Sequence, residues 1–268
     1  MKREIKAVFI FSTIVFCIAI LIALRLIFLF WPAKKKLLTT YVVHLFGKIA
    51  TFTLGVKVNV RGRKDLLKKR GQFFISNHLS YIDGIVATGL APLAFVAKTD
   101  VRKWPFFGFF SFLSDTIFVN RTNSANIHKE IKKMVSFLND KVNIILFPEG
   151  TSTNGEKLLP FKSSFFAAPL EAKSPVVPIV VTYKSINSQA INEKNRDLVY
   201  WYGSMPFLPH LLRAFSLDSI VLDIKVCDPI QGSLTSNGST VSGRKDLCEA
   251  SWKSIEACLA STHPAPTK

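Results

Sequence analysis

The sequence predicts an α/β domain, a sheet covered by helices, behind an N-terminal membrane segment. From residue 56 onward, short apolar runs rich in Val, Ile and Phe alternate with amphipathic stretches that are typical of helices. Residues 7–24 contain no charged side chain and are long enough to form a membrane helix. The chain has 268 residues, of which 49% are apolar and 20% charged. This composition excludes a disordered or collagen-like protein.

The N-terminal apolar run can cross a bilayer. After Arg25 it continues as far as Trp31, and a helix rising about 1.5 Å per residue would span a hydrocarbon core of about 30 Å. A cleaved signal peptide is the alternative, but the run is longer than usual and no small-residue cleavage site precedes Pro32. We therefore expect residues 1–36 to be a retained membrane-spanning segment with basic flanks. The flanking charges slightly favour a cytoplasmic position for the chain that follows.

A second apolar stretch follows the first. It is interrupted by His44 and Lys48, so residues 37–55 are predicted to form an amphipathic, interfacial helix rather than a second span. A helical hairpin that dips into one leaflet is the alternative. We expect the folded domain to occupy residues 56–262 and residues 263–268 to be a frayed tail.

Positive charge is concentrated near the apolar run. The 35 Lys and Arg against 18 Asp and Glu give a net charge of +17, and residues 1–70 alone hold 15 basic and two acidic residues. Anionic membrane lipids are therefore the expected partner, and nucleic acid is disfavoured because no RNA-binding motif appears. The basic cluster at residues 61–70 would lie against lipid headgroups; a solvated face is the alternative.

Periodicity predicts the elements of the domain. The predicted strands are residues 56–60, 72–76, 93–97, 116–120, 143–147, 176–182, 198–201 and 220–226. The predicted helices are residues 81–90, 124–140, 163–172 and 244–259.

The first candidate site follows the strand at residues 72–76. In residues 77–83, N-H-L-S-Y-I-D, His78 and Asp83 would lie about 140° apart on an ideal helix, so they can meet only if His78 lies in the preceding turn. An Asp that binds one imidazole nitrogen fixes the tautomer and leaves the other nitrogen free to act as a base. A helix cap with an incidental His is the alternative, and the local spacing leaves both open.

The second candidate follows the strand at residues 143–147. In F-P-E-G-T-S, residues 147–152, Pro148 stops the strand and Gly150 permits close backbone approach. Glu149 cannot attract a phosphate, so it would accept hydrogen bonds from a substrate hydroxyl or hold the turn. An ordinary β-turn is an equal interpretation.

Taken together, the two motifs resemble the glycerolipid acyltransferase family, the lysophosphatidate acyltransferases. The H-x4-D and F-P-E-G-T motifs are joined, in the family's order, by residues 116–121 between them and by residues 176–181 after them. The resemblance covers roughly residues 55–185. It implies a mixed, mostly parallel sheet flanked by helices and no resident cofactor, with acyl-coenzyme A or acyl-carrier protein as co-substrate.

The resemblance also implies roles for single residues. His78 would be the general base, oriented by Asp83. Arg121 would bind the acceptor's phosphate, or else form only a surface ion pair. Glu149, Gly150 and Thr151 would belong to the acceptor-binding turn, with nearby backbone N–H groups facing the thioester oxyanion. Lys162 matches a basic position downstream of the turn; a solvated surface lysine is the alternative.

Other residues put the acceptor in doubt. Many lysophosphatidate enzymes carry a basic residue where this chain has Ser152 and a glycine near the position of Ser163 and Ser164. Residues 151–164 and 201–205 resemble the branch that acylates lyso-ornithine lipid. O-acylation of a lysolipid is expected in either case.

An aromatic segment is a candidate for membrane access. Residues 103–113 contain one Trp and five Phe, which suits insertion at the interface beside the site; a buried core helix is the alternative. The four cysteines form no C-x-x-C pair, and no metal site is expected.

These observations predict a membrane-bound enzyme that transfers a fatty acyl group to the hydroxyl of a lysolipid. The leading acceptor is 1-acyl-sn-glycerol-3-phosphate, which would place the reaction in phospholipid biosynthesis; lyso-ornithine lipid is the alternative. A non-catalytic membrane-binding adaptor is the remote alternative. The family's bacterial character implies the inner membrane, with the catalytic domain on the cytoplasmic side.

Overall fold

A mixed, mostly parallel sheet forms the centre of the domain. The computed structural model describes residues 3–103, 107–120, 124–233 and 241–262. Within these residues the sheet has eight strands in the order β1-β8-β6-β2-β5-β3-β4, with β7 beside β6. The strands are β1 (Val56–Gly62), β2 (Phe73–Ser76), β3 (Leu93–Lys98), β4 (Ile117–Val119), β5 (Asn143–Leu146), β6 (Val176–Ile186), β7 (Gln189–Ala190) and β8 (Ile220–Val226). Only the pairs β6–β8 and β6–β7 are antiparallel among these. A separate pair joins β9 (Gly232–Ser233) to β10 (Val241–Ser242).

Helices cover both faces of the sheet. They are α1 (Arg3–Ile27), α2 (Pro32–Thr53), α3 (Tyr81–Leu90), α4 (Phe107–Leu113), α5 (Ser124–Asn139), α6 (Ala167–Glu171), α7 (Phe207–Phe215) and α8 (Gly243–Thr262). The side chain of Phe74 belongs to the core beneath α3, whereas its neighbours Phe73 and Ile75 belong to the core beneath α5, α6 and α8. Because strand side chains alternate between faces, β2 needs apolar residues at successive positions, and Phe73, Phe74 and Ile75 supply them before the buried Ser76.

Helix α1 contacts the domain near both of its ends. The Lys6 ammonium is buried and donates to the Leu217 carbonyl (2.7 Å), and the Arg25 guanidinium pairs with Asp115 (2.9 Å). Its other face is apolar and exposed, as Val8, Phe16 and Leu26 illustrate. By length and composition, Glu4–Ile27 is a candidate membrane span.

Helix α2 begins earlier than the sequence predicts. It starts at Pro32, whose fixed φ suits the first position of a helix, and it therefore includes Lys34, Lys35 and Lys36. Its Gly47 packs against Thr88 of α3, where a larger side chain would clash. Helix α2 is thus attached to the domain through α3.

One predicted strand is wrong. Residues 198–201 form no strand, because Leu198 ends a 3-10 helix and the N–H groups of Val199 and Tyr200 both donate to the Arg196 carbonyl. Those N–H groups are therefore not available to a sheet. The run is apolar because Val199 and Tyr200 are buried in the core, and a short apolar run has the same pattern whether it is a strand or a buried turn.

Other elements differ more mildly from the prediction. The helix expected at residues 163–172 is a 3-10 turn followed by the short α6. Helix α7 was not predicted. In the aromatic segment, Phe109 and Phe112 of α4 are exposed and Leu113 is buried, while Trp104, Pro105 and Phe106 lie outside the described residues.

Candidate active site

Two adjacent parallel strands bring the candidate residues together. Strands β2 and β5 pair in parallel, so both end at the same edge of the sheet. His78 follows the end of β2, and Glu149 follows the end of β5. The two residues are in direct contact, because the backbone N–H of His78 donates to Glu149 Oε1 (2.8 Å).

His78 lies in the turn before α3, as its spacing from Asp83 requires. The helix begins at Tyr81 with Ser80 as its N-cap, and Asp83 lies in the first turn. Asp83 Oδ2 is 3.0 Å from His78 Nδ1 and also accepts from the backbone N–H groups of Leu79 (2.6 Å) and Ser80 (2.8 Å). The carboxylate therefore caps the helix and binds the imidazole at the same time, so the two alternatives are compatible.

Tyr183 completes the environment of Asp83. The carboxylate is 1% exposed, and the Tyr183 hydroxyl donates to its other oxygen, Oδ1 (2.7 Å). Burial, and next the charge of Asp83, raise the pKa of Tyr183 well above its ordinary value, so this hydroxyl stays protonated and remains a donor. Each carboxylate oxygen thus has a donor, which offsets the cost of burying the charge.

The imidazole is fixed on its face as well as at Nδ1. The ring of Phe147 stacks on it with centroids 4.1 Å apart and an interplanar angle of 21°. The His78 side chain is 20% exposed, and no hydrogen bond to Nε2 occurs among the described residues. If Nδ1 donates to Asp83, Nε2 carries a lone pair that an incoming hydroxyl group can reach.

Glu149 joins the turns that follow β2 and β5. It is buried, and its second oxygen, Oε2, accepts from the backbone N–H of Leu159 (3.0 Å). Burial raises the pKa of Glu149, and its two backbone donors act in the opposite direction. Both oxygens accept hydrogen bonds from backbone N–H groups, and Oε1 links Glu149 to the turn that carries His78.

Comparison with known proteins identifies the family. The Acyltransferase family model matches residues 57–182. A lyso-ornithine lipid O-acyltransferase of Rhizobium meliloti is 30% identical over 202 residues, which cover 73% of this chain and 68% of that protein. A 1-acyl-sn-glycerol-3-phosphate acyltransferase of Salmonella typhimurium is 32% identical over 190 residues, covering 70% of this chain and 76% of that protein. The chain belongs to the acyltransferase family.

A solved structure agrees on the fold. The 1-acyl-sn-glycerophosphate acyltransferase PlsC from Thermotoga maritima superposes with a TM-score of 0.61, at 19% identity and with complete coverage of both chains. The predicted family resemblance and the mixed, mostly parallel sheet are therefore confirmed.

Three supporting residues of this candidate site were not singled out as site residues from the sequence. Asn77 exchanges two hydrogen bonds with the backbone of Val181, which ties the turn after β2 to β6 (3.0 and 2.9 Å). Phe147 stacks on His78, and Tyr183 binds Asp83. Tyr183 carries the one detectable signal, because a tyrosine in a strand that is otherwise buried needs a partner for its hydroxyl.

The remaining predicted site residues are Gly150, Thr151, Lys162 and Arg121. Gly150 has a φ of +83°, and its N–H donates to the Phe147 carbonyl (3.1 Å), so this amide is engaged in the turn rather than free for an oxyanion. Thr151 and Lys162 have exposed side chains. Arg121 lies outside the described residues. Within the ranges that the structure describes, no group of three or more His, Cys, Asp or Glu could hold a metal ion.

Proposed function

We propose that this protein transfers a fatty acyl group from acyl-coenzyme A or acyl-carrier protein to the free hydroxyl of a lysolipid. The observation that carries the proposal is the His78–Asp83 pair, with Nε2 unengaged among the described residues, in a chain that belongs to the acyltransferase family. An adaptor without catalysis would need neither the buried carboxylate nor the stacked imidazole.

His78 acts as the general base in this proposal. Its Nε2 takes the proton from the acceptor hydroxyl while the hydroxyl oxygen attacks the thioester carbonyl carbon. The C–S bond then breaks, and the thiol leaves with a proton that the imidazolium returns. Asp83 stabilises the imidazolium through Nδ1–H, and no acyl-enzyme intermediate is needed.

Two lysolipids are candidates for the acceptor. We propose 1-acyl-sn-glycerol-3-phosphate first, the acceptor in the name of the Salmonella relative, with Arg121 as the ligand of its phosphate. Lyso-ornithine lipid is the second candidate, because relatives from Rhizobium and Brucella carry that name and are 30% and 28% identical to this chain.

The exposed apolar face of α1 is the proposed membrane contact. Exposed Phe109 and Phe112 of α4 and Leu208 of α7 lie on elements that α1 contacts. A helix that crossed the bilayer upright would carry Lys6 and Arg25, and with them the domain's Leu217 and Asp115, toward opposite surfaces. The contacts therefore favour α1 lying in the plane of the membrane. We propose the cytoplasmic leaflet of an inner membrane, which the flanking charges and the bacterial relatives support.

The orientation of α1 can be measured by thiol labelling. Cysteines introduced by Ile5→Cys and Leu29→Cys should react with a membrane-impermeant reagent from the same side of sealed vesicles. Labelling from opposite sides would instead establish a helix that crosses the bilayer.

The acceptor is tested with a panel of lysolipids. Detergent-purified protein is incubated with labelled acyl-coenzyme A or acyl-carrier protein and with lysophosphatidate, lyso-ornithine lipid or a zwitterionic lysolipid, and His78→Ala is the control. We expect transfer to lysophosphatidate that disappears in His78→Ala. Transfer only to lyso-ornithine lipid would identify that lipid as the acceptor in place of lysophosphatidate. It would also exclude a phosphate-binding role for Arg121. No transfer to any lysolipid, from a folded protein, would contradict the proposed function.

A further inference from the structure

A cavity lies at the end of the sheet opposite the catalytic pair. Its volume is about 330 Å³, and it lies between α2, the turn before β2 and the turn before β5. Asn143, the first residue of β5, lines it, whereas His78 follows the last residue of the parallel β2. The cavity is therefore distinct from the candidate active site.

The cavity is lined by positive charge. Five cationic side chains reach it and no Asp or Glu does; the five are Lys48, Lys68, Lys69, Arg70 and Lys141. Each side chain belongs to an exposed residue, so each is free to reorient toward a ligand. Like charges gathered in this way repel one another, and a bound anion would relieve that repulsion.

Most of these cations lack an acidic partner. Within the described part of the chain, Lys48, Lys68 and Lys141 form no ion pair, and Lys69 has only a long one with the exposed Asp65 (3.7 Å). Asp140, next to Lys141 in the chain, is already paired with Lys36 (2.7 Å). The cavity therefore has more positive charge than its protein surroundings neutralise.

The rim of the cavity is fixed by one buried side chain. The Asn143 amide accepts from the Gln72 N–H (2.9 Å) and donates to the carbonyls of Lys69 (3.0 Å) and Pro92 (3.2 Å). These bonds hold the backbone that carries Lys68, Lys69 and Arg70 in place. A fixed rim lowers the ordering cost of binding a ligand.

Apolar side chains continue the surface beside the cavity. Leu38, Tyr41 and Leu45 are exposed on one face of α2, and Tyr41 itself lines the cavity and accepts a hydrogen bond from Arg70 (3.1 Å). A ligand that joins an anionic group to a hydrocarbon chain matches both surfaces, whereas a free anion would use only the first.

We propose that this cavity binds the phosphate group of an anionic lipid headgroup, separately from acyl transfer at His78. The lipid's acyl chains lie along α2, and the bound headgroup anchors this end of the domain to the membrane. The site goes beyond the proposed function, because it would exist whichever lysolipid is acylated.

The test uses the full chain in detergent and needs no catalytic readout. The Tm is followed while short-chain phosphatidylglycerol, phosphatidylcholine or inorganic phosphate is titrated into the wild type. The triple variant Lys48→Gln, Lys68→Gln, Lys141→Gln removes three unpaired cations. A matched control, Lys173→Gln, Lys184→Gln, Lys194→Gln, removes the same charge from exposed positions elsewhere.

Phosphatidylglycerol should raise the Tm of the wild type and of the control far more than phosphatidylcholine does. In the cavity variant the midpoint of the titration should weaken by about 10²-fold, since each lysine near an anionic lipid contributes about fivefold. An unchanged midpoint in the cavity variant would overturn the site. An equal Tm increase with inorganic phosphate alone would overturn the assignment to a lipid.

Discussion

At the scale of single residues, Asp83 combines two tasks that the sequence presents as alternatives. It accepts the N–H groups that begin α3 and also the Nδ1–H of His78, so the helix cap fixes the position of the carboxylate that orients the imidazole. The spacing of His78 and Asp83 permits their contact if His78 lies in the turn before the helix, and the family resemblance implies that they are paired. Tyr183 could not be predicted as their partner, because it is 100 residues from Asp83 and only the pairing of β2 with β6 brings it there.

Two substitutions separate orientation from stability at this site. Asp83→Asn replaces an acceptor oxygen by an N–H₂ group that faces other donors, so turnover should fall by about 10²-fold or more. Tyr183→Phe leaves the His78 contact intact but removes one donor from a buried carboxylate. It should lower the free energy of unfolding by about 1–3 kcal/mol with a much smaller effect on turnover.

Tyr202→Phe is the matched control, because that hydroxyl donates to Asp197, a carboxylate at the surface (3.0 Å). Acyl transfer rates and denaturant unfolding are the measurements. Equal losses of turnover in Asp83→Asn and Tyr183→Phe would show that the site depends on carboxylate burial rather than on imidazole orientation.

At the scale of elements, α7 is held to the rest of the domain by a buried histidine. His210 Nε2 lies 2.9 Å from the Tyr200 carbonyl, and Nδ1 lies 3.0 Å from the Tyr81 hydroxyl at the start of α3. In the neutral ring, Nε2–H donates to the carbonyl and Nδ1 accepts from the tyrosine. Burial lowers the pKa of His210 below its ordinary value of 6.5.

This arrangement predicts that stability falls in mild acid. Below pH 6.5 the unfolded chain binds a proton at His210 that the folded chain does not, so the free energy of unfolding decreases as the pH falls toward the lowered pKa. The non-titrating variant His210→Gln should lack this component, and His44, whose pKa is also lowered, is present in both proteins. Denaturant unfolding at several pH values measures the difference. A wild-type-minus-variant difference that is constant between pH 7 and pH 5 would refute the prediction.

Elements with a clear period could be predicted, and elements without one could not. Strand β8 alternates buried and half-buried residues along its whole length, and α5 presents Ile131, Met134 and Leu138 on one face. The run at residues 198–201 has no period long enough to distinguish a strand from a buried turn. Helix α7 is an exception, because its nine residues do have an amphipathic period but it is short and lacks a side-chain cap that would mark its start.

At the scale of the whole molecule, the order of the strands in the sheet could not be predicted from the sequence. The sequence indicates an α/β domain, but the position of β8 between β1 and β6 depends on contacts between residues far apart in the chain. The same holds for α1, because its apolar run predicts a membrane helix without showing that Lys6 and Arg25 fasten it to the domain. The distribution of positive charge is a further example. Part of the basic cluster at residues 61–70 forms a cavity wall only because the fold brings Lys48 and Lys141 next to it.

The rate of acyl transfer by His78→Ala tests the account most directly. His78 is part of a turn and its side chain is 20% exposed, so the variant should fold with nearly the wild-type Tm. Removal of the general base should then lower turnover by about 10²-fold to 10⁴-fold with the preferred lysolipid and donor. A folded His78→Ala protein with wild-type turnover would contradict the assignment of His78 as the catalytic base.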